Sequence, residues 1–317
     1  MRLEQETKLR VPVHTLTGIV CFGQVSCSPF LMGLCAQHGV GISFLTEHGR
    51  FLSRVQGPVS GNVLLRRKQY RVTDDRAGAA AIAKAVVLAK VSNCRTVLLR
   101  ATRERSDGEY GALEKASLRL RRILEEIAIQ DNVDQIRGHE GDAAATYFDV
   151  FDHLILTGKE HFFFRQRSRR PPLDNMNALL SFLYTLLTHD VVGALETVGL
   201  DPAVGYLHRE RPGRPSLALD LAEELRPVLA DRLALTLVNR QQVSESGFRQ
   251  LETGAVTMDD ETRKEVLVAW QKRKQEEIVH PFLGEKIALG LVPYVQATLL
   301  ARYLRGDLDG YPCFFWK

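Results

Sequence analysis

The sequence predicts an α+β fold: a small β-rich N-terminal domain followed by a large all-α C-terminal domain. Three observations carry this. Short β-branched and aromatic runs, punctuated by glycine, fill residues 7–57 and nearly vanish after residue 60. Apolar residues recur at helical spacing over most of what remains. The chain has 317 residues, 45% hydrophobic and 25% charged, which suits about two domains and a core that needs no staples.

Taken in order, TKLRVPVH (7–14) and TGIVCF (17–22) read as strands. A short helix follows, with Ser28 as cap, Pro29 at the first helical position and Gly39 as the stop. VGISFL (40–45) reads as a buried strand, Glu47-His48-Gly49 as a turn and FLSRVQG (51–57) as the partner strand, with Pro58 and Gly61 closing the β region. TDDRAG (73–78) is the linker candidate. The expected domains are therefore 1–72 (β-rich, dimerisation), a linker at 73–80, and a helical catalytic domain at 81–317. Within the last, helices are expected over 79–90, 109–130 and from after Pro171-Pro172 to about Gly199. Thr257 with Asp260 resembles a capping box for a charged helix running to about Glu277. His280-Pro281 breaks it, and a last apolar helix reaches about Arg305 with a kink at Pro293.

Net charge is +4, but two acid-free basic stretches sit on a slightly acidic body: VLLRRKQYR (63–71) and HFFFRQRSRRPPL (161–173). Arg66 and Arg67 in the first, and Arg165, Arg167, Arg169 and Arg170 in the second, suit a polyanion such as DNA. Solvated faces are the plain alternative. Phe162, Phe163 and Phe164 suit packing better than base stacking. Five cysteines without a C-x-x-C argue against a disulfide scaffold or zinc knuckle and for a reducing cytoplasm. The charged start, MRLEQETKLR, reads as no secretory signal, and no uninterrupted apolar run reaches the ~18 residues of a membrane span, so no membrane partner is expected.

Two further stretches carry chemistry-bearing side chains. In GYLHRERPGRPSLALDLAEELRP (205–227), Ser216 suits a helix cap, and Asp220, Glu223 and Glu224 fall on one side of the helix. His208 lies in a loop able to fold back over the first turn, so an imidazole and carboxylates could converge; a solvent-facing acidic stripe is the alternative. In IRGHEGDAAATYF (136–148), Gly138 and Gly141 flank Glu140 with three alanines beyond, which suits a carboxylate reaching into a crowded junction or a plain helix start.

Together these stretches resemble one family. RGHEGDAAATYF is similar to its R-G-x-E-G-x-A-A-x-x-Y-F element. RRPPLDNMNALLSFLY is similar to its R-R-P-P-x-D-x-x-N-A-L-L-S-F-x-Y element. GYLHRERPGRPSLALDLAEELRP is similar to its G-x-x-H-x-x-R-x-x-x-x-S-L-x-x-D-L-x-E-x-x-R-P element. The family is the CRISPR-associated spacer-acquisition endonuclease/integrase, Cas1. GIVCFGQVSCSP and ISFLTEHGRFLSRVQGP also look like it, in the manner of its type I-C subgroup. Asn175, Met176 and Glu223 depart from commoner residues of the pattern. The resemblance implies a homodimer joined through N-terminal contacts and the small Cas2 protein as partner. It also implies double-stranded DNA, both fragment and CRISPR array, as substrate. It implies Mg²⁺ or Mn²⁺ held by Glu140, His208 and Glu223, with Asp220 as acidic neighbour or alternative ligand. Carboxylates and an imidazole suit either cation, which neutralises charge developing on phosphate oxygens. The expected reaction is transesterification by a fragment's 3′-hydroxyl, with nicking as its hydrolytic variant. A non-catalytic DNA binder would show no metal dependence, and a small-phosphoester hydrolase would have no use for clustered arginines.

Overall fold

Strand-forming residues end where long helix formers begin, and the chain divides there into Met1–Asn62 and Val63–Lys317. The computed structural model describes residues 2–3, 6–7, 9–16, 18–46, 51–55, 57, 63–103 and 110–316.

In the first unit, β1 (Arg2–Leu3) and β2 (Glu6–Thr7) form a short antiparallel pair. β3 (Gly18–Phe22) runs parallel to β4 (Gly41–Leu45), and β5 (Phe51–Val55) pairs antiparallel with β4. Parallel neighbours need a crossover, here α1 (Pro29–Gln37). Ser28 caps it by accepting from the Leu31 amide, and Gly39 turns out of it at φ 70°. Cys21, Cys35, Val40 and Ile42 form the small core. Residues 9–12 lack regular structure and Val13–Thr15 is a 3-10 turn, so among the described residues the strand expected over 7–14 is found at Thr7 alone. The turn at 47–49, with Pro58 and Gly61, lies outside the described residues.

The second unit contains α2 (Val63–Asp74), α3 (Arg76–Arg103), α4 (Tyr110–Ala128), α5 (Val133–Asp149), α6 (Asn175–Thr197), α7 (Ser216–Leu225) and α8 (Arg232–Asn239). It continues with the hairpin β6 (Phe248–Gln250) and β7 (Val256–Met258), then α9 (Asp260–Gln275), the hairpin β8 (Glu277–Val279) and β9 (Lys286–Ala288), and α10 (Val292–Arg305). Four corrections follow. The basic segment 63–71 belongs to the helical unit, and 73–80 is helical on both sides of Asp75 rather than a linker. The C-terminal unit is not all-α, because two hairpins flank α9. Asp259, not Thr257, caps α9, its carboxylate accepting from the Thr262 amide. Pro293 opens α10 instead of kinking it, its missing N–H being one the first turn leaves unpaired anyway.

α3 is the central post, packed along α4, α5 and α7. α3 and α6 are long and apolar enough to cross a bilayer by length and composition, but both are core helices with 56% of that window buried. A π-helical turn, Arg226–Asp231, joins α7 to α8. All five cysteines are free thiols.

Candidate active site

The site lies where α3, α5, α7 and the 205–208 loop meet. α7 is short and nearly every residue of it is buried, including Asp220, Glu223 and Glu224. The acidic side is therefore not a solvent stripe, and each buried carboxylate has acquired partners. Ser216 is the first helical residue rather than the cap, and its hydroxyl donates to the Arg209 carbonyl.

Asp220 organises the loop. Its Oδ2 accepts from the amides of Tyr206 at 2.6 Å and Leu207 at 3.0 Å, and its Oδ1 from the His208 amide at 2.9 Å. Oδ1 also lies 2.7 Å from His208 Nδ1. A carboxylate only accepts, so Nδ1 carries the hydrogen and Nε2 is aimed away from Asp220. Nε2 stands 3.7 Å from Glu223 Oε1. The loop can approach this closely because Gly205 has no side chain: a Cβ there would lie 2.8 Å from Ser216 and 2.9 Å from Asp220 Oδ2.

Glu140 and Glu223 meet on one ammonium. Lys90, on α3, hydrogen-bonds Glu140 Oε1, and its Nζ is 2.6 Å from Glu223 Oε2. The latter contact is a close, charge-assisted pair, and Lys90 is the cation that faces this buried oxygen. Arg226 pairs with the other oxygen, Oε1. Burial opposes ionisation of Glu223, but the charges of Arg226 and Lys90 outweigh it and hold the carboxyl well below the usual carboxylate range. Burial likewise pulls Lys90 down, and Glu223 and Glu140 more than restore it, leaving it above its ordinary value.

The sequence-predicted residues Glu140, His208 and Glu223 are thus gathered in one place, with Asp220 behind the histidine. Among the described residues, however, no three acidic, histidine or cysteine side chains stand together as a ready-made metal cage, because Lys90 lies between the two glutamates. Two corrections concern their surroundings. Glu140 sits in the middle of α5, not in a first turn. The expected crowding at its glycines is absent, since a Cβ at Gly138 or Gly141 would meet nothing within 4 Å. Glu224 points elsewhere, to Tyr311, Gln296 and the Phe314 amide. His139 lies 3.4 Å from Glu126.

The oxygen and imidazole donors fit Mg²⁺ or Mn²⁺ in type. The convergence of two carboxylates from separate helices on one ammonium marks a position suited to a cation.

Arginines surround the loop. Arg137 donates to the Leu207 carbonyl from Nε at 3.0 Å and Nη2 at 2.7 Å. Burial and then the Arg211 guanidinium, with Arg137 and Arg170 further contributing, lower the proton affinity of Arg214. Arg165, Arg169 and Arg170 are exposed, Arg165 lying over the Phe163 ring. Arg167 departs from the expected strip. Its guanidinium turns inward to Asn177 Oδ1 at 2.7 Å and Ser181 Oγ at 3.1 Å, and lies over Tyr184. Phe162 and Phe164 are core residues. On α2, Arg67 is exposed and Arg66 half-buried. The same helix anchors the 201–204 segment through Gln69, which donates to the carbonyls of Asp201 and Val204.

Lys90, Arg226 and Arg137 escaped the sequence reading. Arg137 and Arg226 stand three residues from Glu140 and Glu223, one helical turn away. Lys90 had a signal: it falls on the stripe Ala79, Ala83, Val86, Asn93 and Val97, all buried, where an unpartnered ammonium would be costly.

A unit that gathers acids and an imidazole, with the guanidiniums of Arg137 and Arg226 beside them, has the makings of a phosphate-handling site. Comparison with known proteins makes the assignment specific. The family model for "CRISPR associated protein Cas1" matches residues 1–272. The chain is 54% identical to "CRISPR-associated endonuclease Cas1 1" of Chlorobaculum tepidum over 99% of its own length and 92% of that protein's. It is 56% identical to "CRISPR-associated endonuclease Cas1 2" of Rhodospirillum rubrum with the same coverage. A Cas1 protein from Thermotoga maritima shares the fold at TM-score 0.80 and 24% identity, over 97% of this chain and 91% of that one. A casposase bound to its integration product does so at TM-score 0.81 and 23% identity, over 92% and 79%. The chain belongs to the Cas1 family.

Proposed function

We propose that this protein is a metal-dependent DNA endonuclease/integrase that inserts short DNA fragments into a CRISPR array. The observation that carries the reading is the meeting of Glu140 and Glu223, from separate helices, on a single cationic group with His208 beside them. The names of the relatives at 54% and 56% identity support it. Glu140, His208 through Nε2, and Glu223 would hold Mg²⁺ or Mn²⁺. Asp220 serves as positioning residue, because its two oxygens are already engaged by three amides and an imidazole. When bound, the cation would polarise the target phosphate and stabilise charge developing on its oxygens. Asp220 fixes the imidazole, Arg226 fixes Glu223, and the exposed Arg165, Arg169, Arg170 and Arg67 bind phosphates without reading bases. A fragment's 3′-hydroxyl then attacks the phosphodiester and the leaving 3′-oxygen departs; water in place of the hydroxyl gives nicking.

Cas2 is the proposed partner. In support, this chain shares its fold, at TM-score 0.82 and 22% identity over 100% of its length, with a chain of a Cas6-RT-Cas1–Cas2 complex, of which it covers 34%. A homodimer joined through the first unit, a cytoplasmic setting without membrane attachment and a place in the type I-C-like subgroup complete the reading. The test is integration into a supercoiled plasmid with Cas2 and Mn²⁺ or Mg²⁺. His208→Ala, Glu140→Ala and Glu223→Ala should each abolish integration and metal-dependent nicking while DNA affinity is largely kept. Near-normal integration by folded His208→Ala overturns the mechanism.

A further inference from the structure

We propose that Lys90 is a built-in counter-cation, which holds Glu140 and Glu223 together in the metal-free protein and must withdraw when a divalent cation binds. The inference rests on the metal reading above and concerns a residue outside the proposed ligand set.

The geometry supports exchange rather than addition. The ammonium contacts carboxylates on two different helices, one oxygen from each. Glu223 Oε2 is buried, and the ammonium 2.6 Å away is the positive charge that faces it. Oε1 of the same carboxylate is taken by Arg226. A cation bridging Glu140 and Glu223 would therefore compete for oxygens Lys90 now holds, and two positive charges cannot share one position between two carboxylates. Lysine suits such a role. It is a point charge on a flexible four-carbon stem, free of the fixed fork of an arginine. The flank formed by Glu140 and His208 is the open one, their side chains being 22% and 21% exposed against 4% for Glu223. Without the ammonium, two partly desolvated carboxylates would face each other with Arg226, on the far oxygen of Glu223, left to offset them. Lys90 thus keeps the metal-free site assembled while lowering its apparent affinity for metal.

The experiment uses the full-length protein and Mn²⁺ alone. Free Mn²⁺ is followed by electron paramagnetic resonance for wild type, Lys90→Met, Glu140→Ala and His208→Ala. Removing a like charge from so close a position should tighten Mn²⁺ binding by about tenfold or more in Lys90→Met, and Mn²⁺ should raise its melting temperature more than that of wild type. Equal or weaker affinity in folded Lys90→Met overturns the inference. A measurement on the wild type covers poor folding of that variant. Lys90 modification by an amine-reactive reagent, read by mass spectrometry against exposed Lys68, should be several-fold faster with Mn²⁺ than in EDTA. Equal rates overturn the inference. Glu140→Ala and His208→Ala separate the two readings. If neither weakens Mn²⁺ binding, the metal site itself falls and the role of Lys90 with it. If both do, while Lys90→Met is no tighter, Lys90 alone is misassigned.

Discussion

Replacing Asp220 with asparagine tests whether this carboxylate builds the site or joins it as a ligand. Its two oxygens accept three amides, at 2.6, 3.0 and 2.9 Å, and Oδ1 lies 2.7 Å from His208 Nδ1. Asparagine keeps its volume but only one acceptor oxygen. Its NH₂ must face either the Tyr206 and Leu207 amides or the His208 amide and ring, so two bonds are lost and donors oppose donors in a buried place. Hydrogen bonds to a charged group are worth ~1.5–3 kcal/mol each, so the cost should be about 3–5 kcal/mol. In a unit of this size that lowers the melting temperature by roughly 10 °C. With the imidazole no longer held, Mn²⁺ affinity should fall ~10–100-fold, as when other groups that orient a metal's ligand are lost. Circular-dichroism melts and Mn²⁺ titration read both numbers. A melting temperature within about 2 °C of wild type, with unchanged Mn²⁺ affinity, would refute the reasoning.

Further outcomes follow from which charges are exposed and which are buried. Arg165→Ala, Arg169→Ala and Arg170→Ala together should weaken binding to unrelated DNA sequences and flatten the salt dependence by about one unit of slope per lost phosphate contact. Arg167→Ala should instead lower stability, through Asn177, Ser181 and Tyr184, and leave the slope unchanged. Burial, partly offset by hydrogen bonds from the Phe314 amide, Tyr311 and Gln296, pushes the Glu224 carboxyl up from 4.5 to about 7. The folded state then binds this proton more tightly than the unfolded chain. The contribution of Glu224 to stability should be full below about pH 4.5 and fall by about 3 kcal/mol up to pH 7 as the native carboxyl ionises. Asp231, pushed up to about 6 by burial, adds a decline of the same sign between pH 3.8 and 6. Urea melts across this range should show the slope, and Glu224→Gln should flatten it; an unchanged slope rules Glu224 out as its source.

The α+β character, helices such as α1 and α6, and the residues proposed for the triad were legible in the sequence, because their signals are local caps, periodicities and motifs. Ser28-Pro29 with Gly39 bounds α1, and Asp174 beyond Pro171-Pro172 opens α6, accepting from the Asn177 amide. Glu140, His208 and Glu223 stand inside motifs long enough to identify a family. What the sequence could not supply was which polar faces would be covered. Helical period puts Asp220, Glu223 and Glu224 on one side of α7, but only packing against α3, α6 and the irregular C-terminal segment buries that side and gives each acid a different partner. Asp220 takes the loop, Glu223 takes Lys90 and Arg226, and Glu224 takes Tyr311 and the Phe314 amide. Packing likewise turns Arg167 inward while its neighbours stay in solvent, and makes a counter-cation of a lysine that reads as one charge in an apolar helix. Sequence sets the chemistry a side chain carries and the face it leaves from. A buried charge persists only beside a partner, and that partner comes from a distant stretch of chain, so the tertiary structure decides which charges become a site.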